Sequence, residues 1–157
     1  MSAPGPGGIG PLEVLAGTWQ GRGRGQYPTV APFDYEEEAT FSPTGKATLA
    51  YQQRTWSPAH GRPLHSEAGY WRLAGPGRVE LVVAHPTGLV EVAEGSFDGR
   101  LMQLRSLLVG RTPTAKQVSG TQRQLWVEGD VLGYRLSMAA VGVGLRPHLE
   151  AELRRLG

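Results

Sequence analysis

The sequence of 157 residues contains no cysteine. This absence excludes disulfide bonds, thiolate metal ligands and cysteine nucleophiles. Lysine is scarce as well, because Lys46 and Lys116 are the only two among sixteen basic residues. The net charge of +2 is too small to indicate a nucleic-acid partner.

Long apolar segments are also missing. No run is long enough to span a bilayer, and the N-terminal residues lack the basic start and apolar stretch of a signal peptide. We therefore expect a soluble, cytoplasmic protein with no membrane partner. Residues 1–10 are rich in glycine and proline and are predicted to be a disordered tail, which leaves residues 11–157 as one domain.

The chain does contain many short segments in which apolar and polar residues alternate. Residues 11–17 predict a short N-terminal helix, and the alternation begins after it. Residues 88–109 predict three short strands, separated at "EG" and "DG". Residues 123–142 predict a hairpin across "EGD" with one apolar face, formed by Leu132, Tyr134, Leu136 and Met138.

Strands of this length with frequent turns indicate an all-β protein. Consecutive hairpins favour an antiparallel up-and-down β-barrel of the lipocalin (calycin) type, because a closed sheet has no exposed edge strand. A barrel of this size can hold one ligand in its mouth.

The stretch "GTWQGRGRGQYP", residues 17–28, is predicted to be the first strand. A phosphate-binding loop would need a following helix, and two arginines are too few for a nucleic-acid surface. Trp19 would point inward, and Gly21, Gly23 and Gly25 share its face. Glycines at this spacing leave room for a neighbouring backbone or for a flat ligand.

The pattern G-x-W-x-G-x-G is formed by Gly17, Trp19, Gly21 and Gly23. It is followed in order by "YPT", "PFDYEEE", "LHSEAGYWR", "PTAKQV", "LSMAAVG" and "HLEAELRR". This ordered set resembles the nitrobindin family. The resemblance implies a barrel of about ten strands over residues 11–157 that binds haem b at one open end, isomerises peroxynitrite to nitrate and binds nitric oxide.

The resemblance also implies the residues that hold the haem. His148, in "HL" of the last strand, would be the axial ligand of the iron and would act in catalysis through it. Thr29, in "YPT", and Lys116, in "PTAK", would contact the haem. Without the resemblance, Thr29 is equally explained as a turn residue and Lys116 as a solvated loop lysine.

The other three histidines have simpler explanations. His60 lies in a turn and is expected to be exposed, while His65 is expected to be a hydrogen-bonded structural residue. His85 ends an apolar strand and is a candidate for the mouth of the barrel. We expect no distal histidine on a pocket strand. The run Glu36–Glu38 is interpreted as a solvated strand edge.

Strict alternation conflicts with the role of His148, because it places this residue on the side opposite Leu149 and Leu153. Two explanations are open. A β-bulge or a strong twist near the rim would turn His148 inward. Alternatively, the leucines face outward toward a partner subunit in a homodimer.

Two other functions remain open from the sequence. A lipocalin-like carrier of an apolar ligand would explain the barrel and the glycines but gives His148 no role. A haem protein that senses or stores nitric oxide without turnover would retain His148 as the axial ligand.

Overall fold

The structure is a computed structural model that describes residues 8–157. A short 3-10 helix, η1 (Gly10–Leu15), precedes ten strands. The strands are β1 (Gly17–Tyr27), β2 (Val30–Pro43), β3 (Thr48–Trp56), β4 (Pro63–Leu73), β5 (Arg78–His85), β6 (Leu89–Phe97), β7 (Leu101–Arg111), β8 (Val118–Glu128), β9 (Val131–Ala140) and β10 (Val143–Arg155). Among the described residues, no helix is long and apolar enough to cross a membrane.

The strands form one closed antiparallel barrel in which each strand pairs with its neighbours in the chain. Closure comes from β1 and β10, which pair from Trp19 opposite Arg155 to Gly25 opposite Leu149. The predicted up-and-down barrel with a short N-terminal helix is therefore confirmed. The predicted tail falls largely on residues 1–7, which lie outside the described part of the chain.

One end of the barrel is closed by η1. Leu12 and Leu15 are fully buried there. The indole Nε1 of Trp19 donates a hydrogen bond to the carbonyl of Leu15 at 2.9 Å. The guanidinium of Arg155 lies 4.2 Å from the centre of the Trp19 ring and covers it. Through Trp19 of β1 and Arg155 of β10, these contacts hold the helix against the two strands that close the barrel. We call this closed end of the barrel the floor.

The glycines of β1 serve close packing within the barrel wall. A side chain on Gly21 would overlap the backbone of β10 at Glu152 and Leu153. Side chains on Gly23 and Gly25 would overlap the rings of Tyr35 and Phe33 from β2. The predicted close approach of a neighbouring backbone is thus confirmed at Gly21 and at Gly23, which also faces the carbonyl of Glu150, and rings of β2 fill the space beside Gly23 and Gly25.

The predicted break at "EG" is wrong, because β6 runs unbroken through Glu94 and Gly95. Residues 88–109 therefore contain two strands, with the turn at "DG" only. A side chain on Gly95 would overlap the carbonyl of Gln103 in β7. Glycine here permits close approach of two strands, a role that sequence alone does not distinguish from a turn.

Replacement of Gly21 by valine tests whether closure depends on the missing side chain. We expect Gly21→Val to destabilise the fold by about 3 kcal/mol or more, since the new atoms meet backbone that cannot move aside. Gly144→Val, also in a strand but with open space around it, is the matched control. Urea unfolding of both variants measures the difference, and equal midpoints would contradict this explanation.

Candidate functional site

The interior of the barrel holds a cavity of about 380 Å³. It extends from the floor toward the end that carries the turns after β1, β3, β5, β7 and β9. Part of its lining is apolar and includes Leu64, Leu89, Val109, Val118, Leu136 and Met138. The predicted apolar face of β9 is confirmed, since all four of its residues line this cavity.

A β-bulge in β10 places His148 in the lining. Pro147 pairs with Ser137 of β9 and Leu149 pairs with Leu136, so His148 is an extra residue without its own partner. His148 and Leu149 consequently both line the cavity. The predicted bulge is confirmed. The alternative, in which the leucines face a partner subunit, is wrong because Leu149 packs against the core and Leu153 is buried.

A backbone contact fixes the orientation of the His148 ring. Its Nδ1 lies 2.9 Å from the carbonyl oxygen of Gln26 in β1. A carbonyl only accepts, so the neutral form of the ring carries its proton on Nδ1 and keeps its lone pair on Nε2. The ring also packs edge-on against Tyr27, with 5.5 Å between the centres. A neutral imidazole held in this way is suited to bind a metal ion through Nε2.

Thr29 and Lys116 do not line the cavity. Thr29 is exposed in the turn between β1 and β2, and Lys116 is exposed in the loop between β7 and β8. Both segments lie at the open end, as His148 does. Their contacts with haem therefore stay a prediction.

The expectation that no distal histidine lies on a pocket strand stays a prediction, but two histidines besides His148 do lie on such strands. His65 of β4 and His85 of β5 both line the cavity. The Nε2 of His65 lies 3.0 Å from the Nδ1 of His85, and the Nε2 of His85 lies 2.5 Å from the Oε2 of Glu91. The expected hydrogen bonding of His65, the exposure of His60 and the place of His85 in the lining are confirmed.

Beneath these histidines lies a buried ionic cluster of Arg123 with Glu67 and Glu91. The Arg123 guanidinium contacts Glu67 at 3.1 Å and Glu91 at 2.8 Å, and its side chain is only 10% exposed. Burial is the largest single effect and raises the pKa of both carboxyl groups, but the guanidinium charge and the hydrogen bonds to the two carboxylates together outweigh it, so both pKa values are lowered. The cluster therefore holds two carboxylates and one guanidinium, all charged.

Burial also shifts the pKa values of His65 and Glu37. Burial lowers the pKa of His65, so its ring is neutral near pH 7. Glu37 is 3% exposed, and burial raises its pKa to about 7. The hydroxyl of Tyr134 donates to Glu37 at 2.5 Å.

The interpretation of Glu36–Glu38 as a solvated edge is wrong for the middle residue. Glu36 and Glu38 face outward and pair with Arg22 and Arg54, whereas Glu37 faces the cavity. The alternation of the strand explains this difference. The buried partner Tyr134 lies 97 residues away in the chain, so no local pattern identified it.

The raised pKa of Glu37 predicts a pH dependence of stability. The folded state binds its proton up to about pH 7, whereas an unfolded glutamate releases it near pH 4.5. The free energy of unfolding should therefore fall by about 3 kcal/mol as the pH rises through this window. Glu37→Gln should lack this loss, and urea unfolding at pH 5 and pH 8 measures it. Glu38→Gln, on the outer face, is the control, and identical losses in both variants would contradict the assignment.

The sequence of this chain is similar to those of known haem-binding barrels and peroxynitrite isomerases. A family model described as "THAP4-like, heme-binding beta-barrel domain" matches residues 8–155. A protein named peroxynitrite isomerase 2 from Mycobacterium avium (strain 104) is 51% identical over 148 residues, which are 92% of each chain. A peroxynitrite isomerase from Nocardia farcinica (strain IFM 10152) is 49% identical over 151 residues, 94% of this chain and 90% of that one.

A solved structure has the same fold. The crystal structure of Rv2717c from M. tuberculosis superposes with a TM-score of 0.88 and 42% sequence identity. The match covers 99% of this chain and 100% of that chain.

Proposed function

Because the chain belongs to the THAP4-like, heme-binding β-barrel family, we propose that it is a haem-b protein that isomerises peroxynitrite to nitrate. Relatives with about half of their residues identical carry the name peroxynitrite isomerase. The observation that carries the proposal is the ring of His148, which lines the cavity with its Nδ1 bonded to the Gln26 carbonyl and its Nε2 left for a metal ion.

The residues at the cavity fit a haem group. A porphyrin needs an apolar surface and an axial ligand, and the lining provides leucine, valine and methionine side chains beside one oriented imidazole. When bound, ferric haem supplies a Lewis-acidic iron. Peroxynitrite and nitrate contain the same atoms and charge, so the reaction needs no external electron donor.

The chain itself contributes ligation, orientation and exclusion of water. The Gln26 carbonyl holds the proton on Nδ1 and so increases the basicity of Nε2 in His148. The apolar side chains of the lining would shield a bound haem from water. Thr29 and Lys116, in loops at the open end, are proposed to contact the polar edge of the haem, where a hydroxyl and an ammonium match carboxylates.

Replacement of His148 tests the proposal. We expect His148→Ala to weaken haemin binding at least tenfold and to shift or abolish the Soret band, because no other imidazole holds the same position in the lining. His60→Ala, which removes an exposed histidine, is the matched control. Absorption titration with haemin measures both, and equal affinities would refute the role of His148.

Nitrate yield distinguishes the proposed enzyme from its alternatives. A haem-loaded isomerase converts added peroxynitrite to nitrate faster than the haem-free chain does, and His148→Ala removes that difference. A nitric oxide sensor would bind nitric oxide, as we propose for this chain too, without raising the yield. A carrier of apolar ligands would be insensitive to His148→Ala.

We also propose that the protein acts in the cytoplasm as a homodimer, without nucleic-acid or membrane partners. The absence of cysteine and the net charge of +2 support the location and the lack of polyanionic partners. A row of apolar residues across the outer face of β4 to β7 supports the homodimer. In this row Tyr70 pairs with Val82, Val82 with Val92, and Val92 with Leu108.

Introducing a charged side chain into this row of apolar residues tests whether the row forms the interface of a homodimer. Tyr70, Val82 and Leu108 are 52%, 43% and 58% exposed, so Val82→Arg should leave the fold intact. If the row is the interface, light scattering gives a dimeric mass for the wild type and a monomeric mass for Val82→Arg. Arg22→Glu, on the outer face of β1, is the control, and a monomeric wild type would contradict the proposal.

A further inference from the structure

Three side chains with metal-binding atoms converge inside the barrel. They are His65 and Glu67 of β4 and His85 of β5, and one ligand atom from each lies within 4.8 Å of the others. We propose that His65, Glu67 and His85 bind a divalent transition-metal ion such as zinc. This site uses neither His148 nor the other residues proposed to hold haem, so it goes beyond the proposed function.

Two of the three distances between the donor atoms are close to those of a tetrahedral site, and the third is at most 4.8 Å. Zinc binds nitrogen and oxygen at about 2.0 to 2.1 Å, which places neighbouring ligand atoms about 3.3 Å apart. The Nε2 of His65 lies 3.0 Å from the Nδ1 of His85. The Nδ1 of His85 lies 3.6 Å from the Oε2 of Glu67. Small rotations of the side chains therefore suffice to enclose an ion.

The second ring nitrogen of His85 has the partner that metal-binding histidines usually have. Its Nε2 lies 2.5 Å from the carboxylate of Glu91. An ionised carboxylate can only accept a hydrogen bond, so the ring nitrogen is the donor. The proton of the ring is thereby held on Nε2, and the lone pair of Nδ1 points toward His65 and Glu67. A carboxylate behind a histidine orients the ring and strengthens it as a ligand.

Glu67 is held in a comparable way. Its Oε1 accepts hydrogen bonds from the hydroxyl of Tyr51 at 2.7 Å and from Arg123 at 3.1 Å. Its Oε2 faces His85 and also accepts a weaker contact from Arg123 at 3.3 Å. The side chains of His85 and Glu67 are each 8% exposed. The side chains of Glu67 and His85 are thus buried and oriented by further side chains, whereas His65 is half-buried.

The charge of the surroundings favours a cation. Glu67 and Glu91 face the single guanidinium of Arg123, which leaves one negative charge without a counterpart in this cluster. Two imidazoles with one carboxylate are borderline ligands that prefer zinc or cobalt to magnesium or calcium. In the absence of a metal ion, the Nε2–H group of His65 donates a hydrogen bond to Nδ1 of His85. When the ion binds, that proton moves to Nδ1 of His65, and Nε2 becomes a ligand.

Titration of the full chain with Co²⁺ tests the proposal. We expect one equivalent to bind with the visible absorption of tetrahedral cobalt, and Zn²⁺ to displace it. His65→Gln and His85→Gln should each weaken binding at least tenfold. His60→Gln, at an exposed position, and His148→Gln, at the proposed haem ligand, should leave the affinity for cobalt unchanged.

The same variants separate this proposal from the proposed function. His85→Gln should retain a Soret band with haemin, which also shows that it folds, whereas His148→Gln should lose that band and retain cobalt binding. X-ray absorption of the zinc-loaded wild type needs no variant and should show two imidazole ligands. Absence of stoichiometric binding, equal affinities of His85→Gln and His60→Gln, or a spectrum without two imidazoles would overturn the site.

Discussion

The pairing of β1 with β10 is the constraint on which the interior of this protein depends. It aligns Trp19 with Arg155 and Gly25 with Leu149, and it brings the carbonyl of Gln26 to the ring of His148. The absence of a side chain at Gly21 permits this approach. The same pairing therefore closes the sheet, covers the floor and orients the imidazole on which the proposed haem site rests.

A closed sheet encloses its inward-facing side chains, and polar ones must then find partners inside. The ionic cluster of Arg123 meets this requirement, because each carboxylate has several donors: Tyr51 also binds Glu67, and Thr121 binds Glu91 at 2.6 Å. The cavity thus combines an apolar lining near His148 with a charged region beneath His85. This division lets one small barrel offer two chemically different environments.

Features of this structure that depend on residues close together in the chain could be predicted from the sequence, whereas features that depend on distant residues could not. Alternation correctly predicted the barrel and the inward face of β9, because both depend on residues two apart. The bulge at His148 was inferred from a conflict in that alternation. The buried roles of Glu37 and Arg123 were missed, since their partners lie on other strands, as Glu67 does 56 residues from Arg123. The strand register, which single residues do not encode, brings these groups together.

The order of the strands has a consequence for biosynthesis. Of the ten strands, β1 emerges from the ribosome first and its partner β10 emerges last, after the eight strands β2 to β9. Until then β1 and β9 each expose an unpaired edge, which is prone to aggregation. The imidazole of β10 arrives only with the strand that seals the sheet. If His148 is the axial ligand, as proposed, the iron ligand therefore becomes available only when the sheet can close.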